Sequence, residues 1–364
     1  MAIVNYYVDP SINANSGTGT IGDPYGDIQY AVDNITRDTT DGDQINVKAG
    51  TAEVMSASLD LSTYGTPAAS AGLIIRGYTS TANDGGVAEF DCGGFTLCAS
   101  SSVSYVDLKV HNGPASSRVL FVNVGAAHNC EVYDSYNGIY CGAYSTISNC
   151  YVYDCGKYGI SHGGPSLIQA CYVRTRTADS NGIMDRCIYN TGRPGIISNT
   201  IISCESTAIG IDLNQDGATC FNCSVISLAG TGSGIRLNSP ATVSGCHNNL
   251  IEGFSGSGGE AIFYATAAPA EFKGIVANNT FYDCETAISN DNSIAVYKTD
   301  NSTAGGSPFK KTGSDTFANR YSYFEPDTNY AGTNLSGDGY RGAVVAAAGG
   351  GGLLRVNMNG NVFG

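Results

Sequence analysis

The order of apolar and polar residues in this chain repeats at intervals of roughly twenty residues. The segment 129–134, Asn-Cys-Glu-Val-Tyr-Asp, returns at 149–154 as Asn-Cys-Tyr-Val-Tyr-Asp, and a weaker copy begins at Ala170. Self-similarity at this period is typical of a solenoid, in which each coil contacts only its neighbours. Equivalent residues of stacked coils lie about 4.8 Å apart. We therefore expect the thiols of Cys130, Cys150 and Cys171 to form one buried column.

A bend residue followed by a short strand recurs in each copy. Ala170 occupies the bend once, a blurred copy lies near Asn248, and the other bends are Asn129, Asn149, Asn199, Asn222 and Asn278. Asn tolerates the left-handed backbone of a tight bend, and stacked Asn side chains can hydrogen-bond along a ladder. The pattern predicts an all-β fold, a single-stranded parallel β-helix (solenoid) over residues 41–299.

Residues 1–40 precede the first coil and are predicted to form an N-terminal cap. A short apolar strand at 3–8 is followed by a loop and by the segment 26–35. Four apolar residues of that segment fall at helical spacing: Ile28, Ala31, Val32 and Ile35. The open end of a parallel stack exposes unpaired backbone groups, and an amphipathic helix laid across it covers them. We therefore expect a capping helix here.

The repeat stops beyond Asn290, and residues 300–364 are predicted to be a non-repetitive C-terminal tail. Four glycines at 349–352 precede the apolar segment 353–358, which is typical of a flexible hinge before a separately placed strand. Two interpretations stay open. The tail caps the β-helix, or it docks on a partner protein or a symmetry-related copy.

The start of the chain also resembles a known group of proteins. Tyr7-Val8-Asp9, Ile28-Gln29-x-Ala31, Gly42-Asp43-x-Ile45-x-Val47 and Gly50-Thr51 resemble the opening of pectate-lyase-like right-handed parallel β-helix proteins. The resemblance covers roughly residues 3–290 and implies a right-handed β-helix. That superfamily includes lyases, hydrolases, epimerases, adhesins and phage spikes, so the resemblance implies the fold and not the function.

Charge and cysteine content narrow the possible partners and the compartment. A net charge of −14 argues against nucleic acid and anionic membrane surfaces, which carry the same sign. No apolar run has the length of a membrane span, and the first residues lack the features of a signal peptide. We therefore expect synthesis in a host cytoplasm and no membrane insertion. Thirteen cysteines, an odd number in a long chain, favour reduced and buried thiols.

Carboxylates contributed by consecutive coils are the candidates for chemistry. If the protein is an enzyme, such carboxylates can flank a glycosidic bond or share Ca²⁺. The catalytic candidates are then Asp185, Asp212, Asp216, His162 and Arg236, with Asp212 and Asp216 as weak calcium ligands. The alternative is that they are solvated turn residues, because Asp is common in turns. No other cofactor or metal is expected.

Tyrosines are frequent in the coils between residues 133 and 158. A tyrosine offers an apolar ring and a polar hydroxyl, which suits contact with a sugar. The candidates for a carbohydrate-binding strip are Tyr136, Tyr140, Tyr153 and Tyr158. The alternative is that some of these rings simply pack against apolar neighbours.

Two functions stay open at this point. The first is a structural protein on a virion surface, such as a capsid decoration, fibre or spike subunit, without enzymatic activity. It would attach to virion or assembly proteins through the tail, form a homotrimer and bind host glycans. The second is a polysaccharide lyase or glycoside hydrolase, a depolymerase acting on an acidic polysaccharide. The sequence has no matched set of catalytic motifs, which favours the first function.

Overall fold

The computed structural model describes most of the chain up to Thr299 and a few short strands beyond it. The described ranges are 3–12, 16–65, 72–99, 102–174, 186–190, 195–204, 208–213, 217–237, 245–264, 274–290 and 296–299. The short strands are Ser302–Thr303, Phe309–Lys311, Phe324–Pro326, Arg355–Val356 and Val362–Phe363. The chain divides into two compact units, Met1–Ser166 (unit 1) and Leu167–Gly364 (unit 2).

Unit 1 consists of parallel strands in three sheets, which we name A, B and C. Sheet A contains Val4–Val8, Asp43–Lys48, Leu73–Tyr78, Val103–Val106, Ala126–His128 and Ser145–Ser148. Sheet B contains Glu53–Val54, Ala88–Asp91, Leu108–His111, Glu131–Val132 and Tyr151–Val152. Sheet C contains Arg118–Val122, Ser135–Cys141 and Cys155–His162. From Val103 onward, each coil of unit 1 contributes one strand to each sheet in turn.

Unit 2 repeats this arrangement in sheets D, E and F. Sheet D begins with Ser166–Gln169, whose first residue is the last residue of unit 1, and continues with Ile196–Ser198, Thr219–Phe221, Gly245–His247, Gly274–Ala277 and Val296–Thr299. Sheet E contains Tyr172–Arg174, Ile201–Cys204, Ser224–Ser227, Leu250–Glu252, Thr280–Tyr282 and Ser302–Thr303. Sheet F contains Arg186–Asn190, Ile209–Leu213, Ser233–Leu237, Glu260–Tyr264 and Thr286–Asn290. Two antiparallel pairs follow, Phe309–Lys311 with Phe324–Pro326 and Arg355–Val356 with Val362–Phe363.

Buried columns run through each unit at equivalent register positions. One column of sheet A is Ile45, Ile75, Tyr105, Ala127 and Ile147. One column of sheet D is Ile168, Ile197, Cys220, Cys246 and Val276. Every one of these side chains is at most 1% exposed. The predicted stack of parallel coils is therefore confirmed, and so is the predicted burial of Cys130, Cys150 and Cys171.

The bends between coil strands adopt the left-handed conformation that the Asn pattern predicts. The φ angles lie between 49° and 56° at Asn129, Asn149, Ala170, Asn199, Asn222, Asn248 and Asn278. Along the stack, Asn129 Nδ2 donates to Asp107 Oδ1 at 2.7 Å, and Asn149 Nδ2 donates to Asn129 Oδ1 at 3.2 Å. The bends thus hold successive coils in register through both backbone and side chain.

The predicted capping helix is present at Ile28–Asn34. Asp27 caps its first turn by accepting a hydrogen bond from the Tyr30 backbone N–H at 2.7 Å. Ile28, Ala31 and Val32 are buried, which matches the predicted apolar face. Among the described residues, no helix is long and apolar enough to cross a lipid bilayer. The proposed boundaries of the cap and tail, at residues 40 and 300, stay a prediction.

Glu53 is buried beside the start of this helix. The residue is 5% exposed, and its Oε1 atom lies 3.5 Å from the Ile28 backbone nitrogen. Burial, together with the negative charge of Asp27, raises the pKa of Glu53 to about 7. The carboxyl is therefore neutral in mildly acidic solution and charged in alkaline solution, where its burial opposes folding.

We predict that Ala170→Asn stabilises the protein by about 1 kcal/mol, because Asn tolerates the left-handed conformation better than Ala does. Asn at this bend would also offer an acceptor to the side chain of Asn199 in the next coil of unit 2. Urea unfolding at equilibrium measures the change. Asn199→Ala is the matched control, and it should lower the free energy of unfolding by a similar amount. Equal stability of Ala170→Asn and the wild type would contradict the account of the bends.

We predict that the stability contributed by Glu53 is lost as the pH rises. The raised folded-state pKa means that this stability is fully present below about pH 4.5 and is lost through pH 7. Glu53→Gln should therefore be more stable than the wild type at pH 8, by about 3 kcal/mol at most, and nearly equal to it at pH 4. Urea unfolding at both pH values tests this. The exposed Asp23→Asn serves as control, and an identical pH dependence in wild type and Glu53→Gln would refute the prediction.

Candidate functional site

Sheet C of unit 1 carries an outer row of rings and cations. Leu120, Ile139 and Ile160 are in register and fully buried, so the residues that alternate with them point outward. Phe121 is in register with Tyr140 on the outer side. We call the outer group the cationic aromatic surface; it comprises Arg118, Phe121, Tyr136, Tyr140, Lys157 and Tyr158.

Cations lie against the rings throughout this surface. The rings of Phe121 and Tyr140 stack with centroids 5.4 Å apart and planes at 2°. The Arg118 guanidinium carbon lies 4.8 Å from the Phe121 centroid and 4.5 Å from the Tyr140 centroid. Lys157 Nζ lies 5.0 Å from the Tyr158 centroid. Both cations are partly exposed to solvent.

The backbone around Tyr140 is shaped to hold this ring. A Cβ at position 163 would lie 2.2 Å from the Tyr140 hydroxyl oxygen, so Gly163 is required for the hydroxyl to lie over the backbone there. The register between strands Ser135–Cys141 and Cys155–His162 shifts between Ser135 and Asn137. This bulge re-aims the neighbouring side chains, and Lys157 Nζ also comes within 5.9 Å of the Tyr136 ring centroid.

A second group of rings lies along sheet B and the bend after it. We call it the acidic aromatic surface; it comprises Glu89, Asp91, Lys109, His111, Glu131, Tyr133 and Tyr153. The His111 and Tyr133 rings stack with centroids 5.0 Å apart, and those of Tyr133 and Tyr153 are 4.9 Å apart. Tyr153, predicted as part of one strip with Tyr136, Tyr140 and Tyr158, therefore belongs to a different stack from Tyr140.

Hydrogen bonds and ion pairs tie the polar groups of the acidic aromatic surface together. Lys109 Nζ lies 3.0 Å and His111 Nε2 lies 3.1 Å from Glu89 Oε1. Burial lowers the pKa of Lys109, but the contacts with Glu89 and Tyr133 together outweigh burial and hold this pKa above its ordinary value. The Tyr153 hydroxyl donates to Glu131 Oε1 at 2.8 Å. Burial and this hydrogen bond raise the pKa of Tyr153.

In unit 2, Asp212 and Arg236 form an ion pair on neighbouring strands of sheet F. Arg236 Nη2 lies 2.5 Å from Asp212 Oδ2, and Arg236 Nε lies 3.2 Å from Asp212 Oδ1. The Asp212 side chain is fully buried and that of Arg236 is 18% exposed. Both carboxylate oxygens thus accept from the guanidinium in a bidentate pair, and the catalytic role of these two residues stays a prediction. The register expected from the sequence brings these two residues together.

The remaining catalytic candidates are not assembled into a site by the described residues. Asp185 and Asp216 lie outside the described residues. His162 is 1% exposed, and its Nε2 atom is hydrogen-bonded to the Ser166 hydroxyl. The catalytic role of these residues stays a prediction.

Calcium binding also stays a prediction. Within the described ranges, no group of three or more His, Cys, Asp or Glu side chains is placed to hold a metal ion. Asp212, one of the two calcium candidates, has both oxygens engaged by Arg236. In this arrangement the Asp212 carboxylate fits the Arg236 guanidinium better than a calcium ion.

The sequence interpretation missed Arg118, Phe121 and Lys157. A signal for two of them was present. Aligning the Gly138-Ile139 and Gly159-Ile160 steps with Leu120 places Phe121 beside Tyr140 and Arg118 beside Asn137. Lys157 lies at the bulge, where simple alignment fails, so the sequence held no comparable signal for it.

We predict that Asp212→Asn destabilises the protein by about 3 kcal/mol, because it leaves the Arg236 guanidinium partly buried without its counter-ion. Replacing both residues, Asp212→Leu with Arg236→Met, should recover most of the loss. A double-mutant cycle of Asp212→Leu, Arg236→Met and the two changes combined, followed by urea unfolding, measures the coupling energy between the two side chains. Additive effects of the two single changes would contradict a direct interaction between the two side chains.

Comparison with known proteins bears on the fold. No family model and no curated protein matches this chain. Among solved structures, pectate lyase Pel9A superposes with a TM-score of 0.56 at 15% identity, over 94% of this chain and 95% of that chain. An alginate lyase from Paenibacillus sp. str. FPU-7 gives a TM-score of 0.49 at 14% identity, over 83% of this chain and 95% of that chain. The likeness to Pel9A concerns the fold alone: this chain has the right-handed parallel β-helix fold of the pectate-lyase-like proteins.

Proposed function

We propose that the protein binds an acidic polysaccharide along the cationic aromatic surface of unit 1. The observation that carries the proposal is the Arg118 guanidinium, which lies within 5 Å of the centroids of two stacked rings, Phe121 and Tyr140. A planar guanidinium recognises carboxylate and sulfate groups through paired hydrogen bonds. The adjoining rings offer an apolar surface to the carbon face of a sugar.

The charge of the surface supports an anionic ligand. The whole chain carries a net charge of −14, yet Arg118 and Lys157 both lie on this surface against aromatic rings. A local positive field on an acidic protein attracts anions to that place and repels them elsewhere. The rings of Phe121 and Tyr140 are already stacked on each other, so little ordering of them is needed on binding.

The fold is compatible with this class of ligand. Pectate lyase Pel9A, which shares the fold, is by its name an enzyme that acts on pectate. The proposal for this chain rests on Arg118 and Lys157 and not on that likeness.

The place of the protein on a virion surface stays a prediction. So do its attachment through residues 300–364 and its assembly as a homotrimer. A glycan-binding surface fits such a role and fits a depolymerase equally well. The polysaccharide lyase or hydrolase expected as the alternative would bind its substrate before cleaving it.

We predict that polygalacturonate oligomers bind the protein and that Arg118→Gln weakens this binding about tenfold, because a charge-assisted contact is lost while the stem of the side chain is kept. Tyr140→Ala should weaken binding to a similar extent. Isothermal titration calorimetry at low and high salt measures both effects. Binding should weaken as salt is raised.

The matched control is Tyr144→Ala, which removes a tyrosine that is 74% exposed and lies outside the surface. It should bind as the wild type does. Equal affinity of wild type and Arg118→Gln, or equal affinity for an uncharged dextran oligomer, would overturn the proposal. Following unsaturated products and reducing ends in the same mixtures separates binding from cleavage.

A further inference from the structure

The acidic aromatic surface of unit 1 has the opposite charge character from the cationic aromatic surface. We propose that it binds an amine-bearing saccharide, such as a chain of de-N-acetylated hexosamines, through Glu131 and the neighbouring tyrosines. The inference goes beyond the proposed function, because it concerns a different sheet and a ligand of opposite charge.

The chain's own ammonium group shows what this surface accommodates. Lys109 Nζ lies 3.0 Å from Glu89 Oε1 and 5.6 Å from the centroid of the Tyr133 ring. A carboxylate on one side and an aromatic ring on the other are both favourable partners for an ammonium. The protein therefore already holds one amine on this surface by the contacts that a ligand amine would use.

Glu131 offers the same chemistry, because its register partner Lys109 forms its ion pair with Glu89 instead. It follows Glu89 and Lys109 in register, one coil further along sheet B. Its carboxylate is partly exposed and accepts the Tyr153 hydroxyl at 2.8 Å. In the described part of the chain, no Lys or Arg forms an ion pair with Glu131. A ligand amine can therefore supply the missing positive charge.

The charge balance of the surface favours a cationic ligand. The carboxylates of Glu89, Asp91 and Glu131 outnumber the one ammonium, that of Lys109, and His111 adds charge only when protonated. Asp91 accepts hydrogen bonds from the Asn112 side chain at 2.7 Å and from the Gly93 backbone, which lower its pKa and keep it ionised. An anionic sugar is repelled here and an amine is attracted.

The ring stack gives the surface a fixed shape. The ring planes of Tyr133 and Tyr153 lie within 9° of parallel, and those of His111 and Tyr133 lie within 17°. Each ring is half-buried, so part of each ring is exposed to solvent. The hydroxyl of Tyr153 also fixes the position of the Glu131 carboxylate. A saccharide can thus contact a preorganised row of ring edges while its amine reaches Glu131.

The test uses the full chain and three sugar oligomers of equal length: chitosan, N-acetylated chitin and polygalacturonate. Calorimetry should show chitosan binding more tightly than its uncharged N-acetylated form. Glu131→Gln should weaken chitosan binding about tenfold and leave polygalacturonate binding unchanged. Arg118→Gln should show the reverse pattern, so that failure of this inference is distinct from failure of the proposed function.

Non-specific attraction to an acidic protein is controlled by Asp33→Asn, which removes the same unit of charge from an exposed helix position. It should bind chitosan as the wild type does. Circular dichroism confirms that each variant retains its β structure. Equal chitosan affinity in Glu131→Gln and wild type, an equal loss in Asp33→Asn, or equal affinity for chitosan and its N-acetylated form would each overturn the inference.

Discussion

Strict register between successive coils is the constraint on which the rest of the structure depends. Parallel strands keep equivalent residues about 4.8 Å apart only if every coil returns to the same place. The left-handed bends enforce this return: Asn129 and Asn149 have φ angles of 53° and 56°, and their side chains are hydrogen-bonded to each other. A slip of one residue would turn every buried side chain of a strand outward. The bends are therefore restricted to one backbone conformation, whereas the segments between them vary in length.

Because of the same register, the interior accepts several residue types at one position. It also keeps the buried thiols unreactive. Cys130 and Cys150 fill a position that Thr200 and Asn249 fill in other coils, and all four are fully buried. The polar residues are tolerated because the ladder supplies partners, as where Asn249 Nδ2 donates to Asn279 Oδ1 at 3.0 Å. Burial raises the pKa of the Cys130 thiol, so the nucleophilic thiolate is suppressed. Ligand chemistry is thus confined to the outer faces of the coils.

The sequence predicts the features that must recur in every coil to keep the register. It does not predict features on which the register places no requirement. The bends, the capping helix and the buried thiols of Cys130 and Cys150 are visible in the sequence because each must recur or fall at a fixed spacing. Outward positions carry no such requirement: Arg118, Asn137 and Tyr158 share one register position and have little chemistry in common. The tyrosines could therefore be nominated from the sequence, whereas the cations beside them could not.

The ion pair of Asp212 and Arg236 lies between these extremes. Ile211 and Ile235 are in register, so the residues that follow them must be neighbours, and the sequence predicts their proximity. Proximity does not reveal burial. The structure adds that the Asp212 side chain is completely buried and that both of its oxygens are engaged by Arg236.

Freedom on the outside explains how one coil can present two surfaces of opposite charge. Within a single coil the chain passes from Glu131 and Tyr133, on the acidic aromatic surface, to Tyr136 and Tyr140, on the cationic one. The interior fixes only the alternating buried residues between them, such as Val132 and Ile139. At physiological ionic strength a surface charge is screened within about 8 Å. Under the two proposals, a charged sugar would be sorted by the face that it meets and not by the net charge of −14.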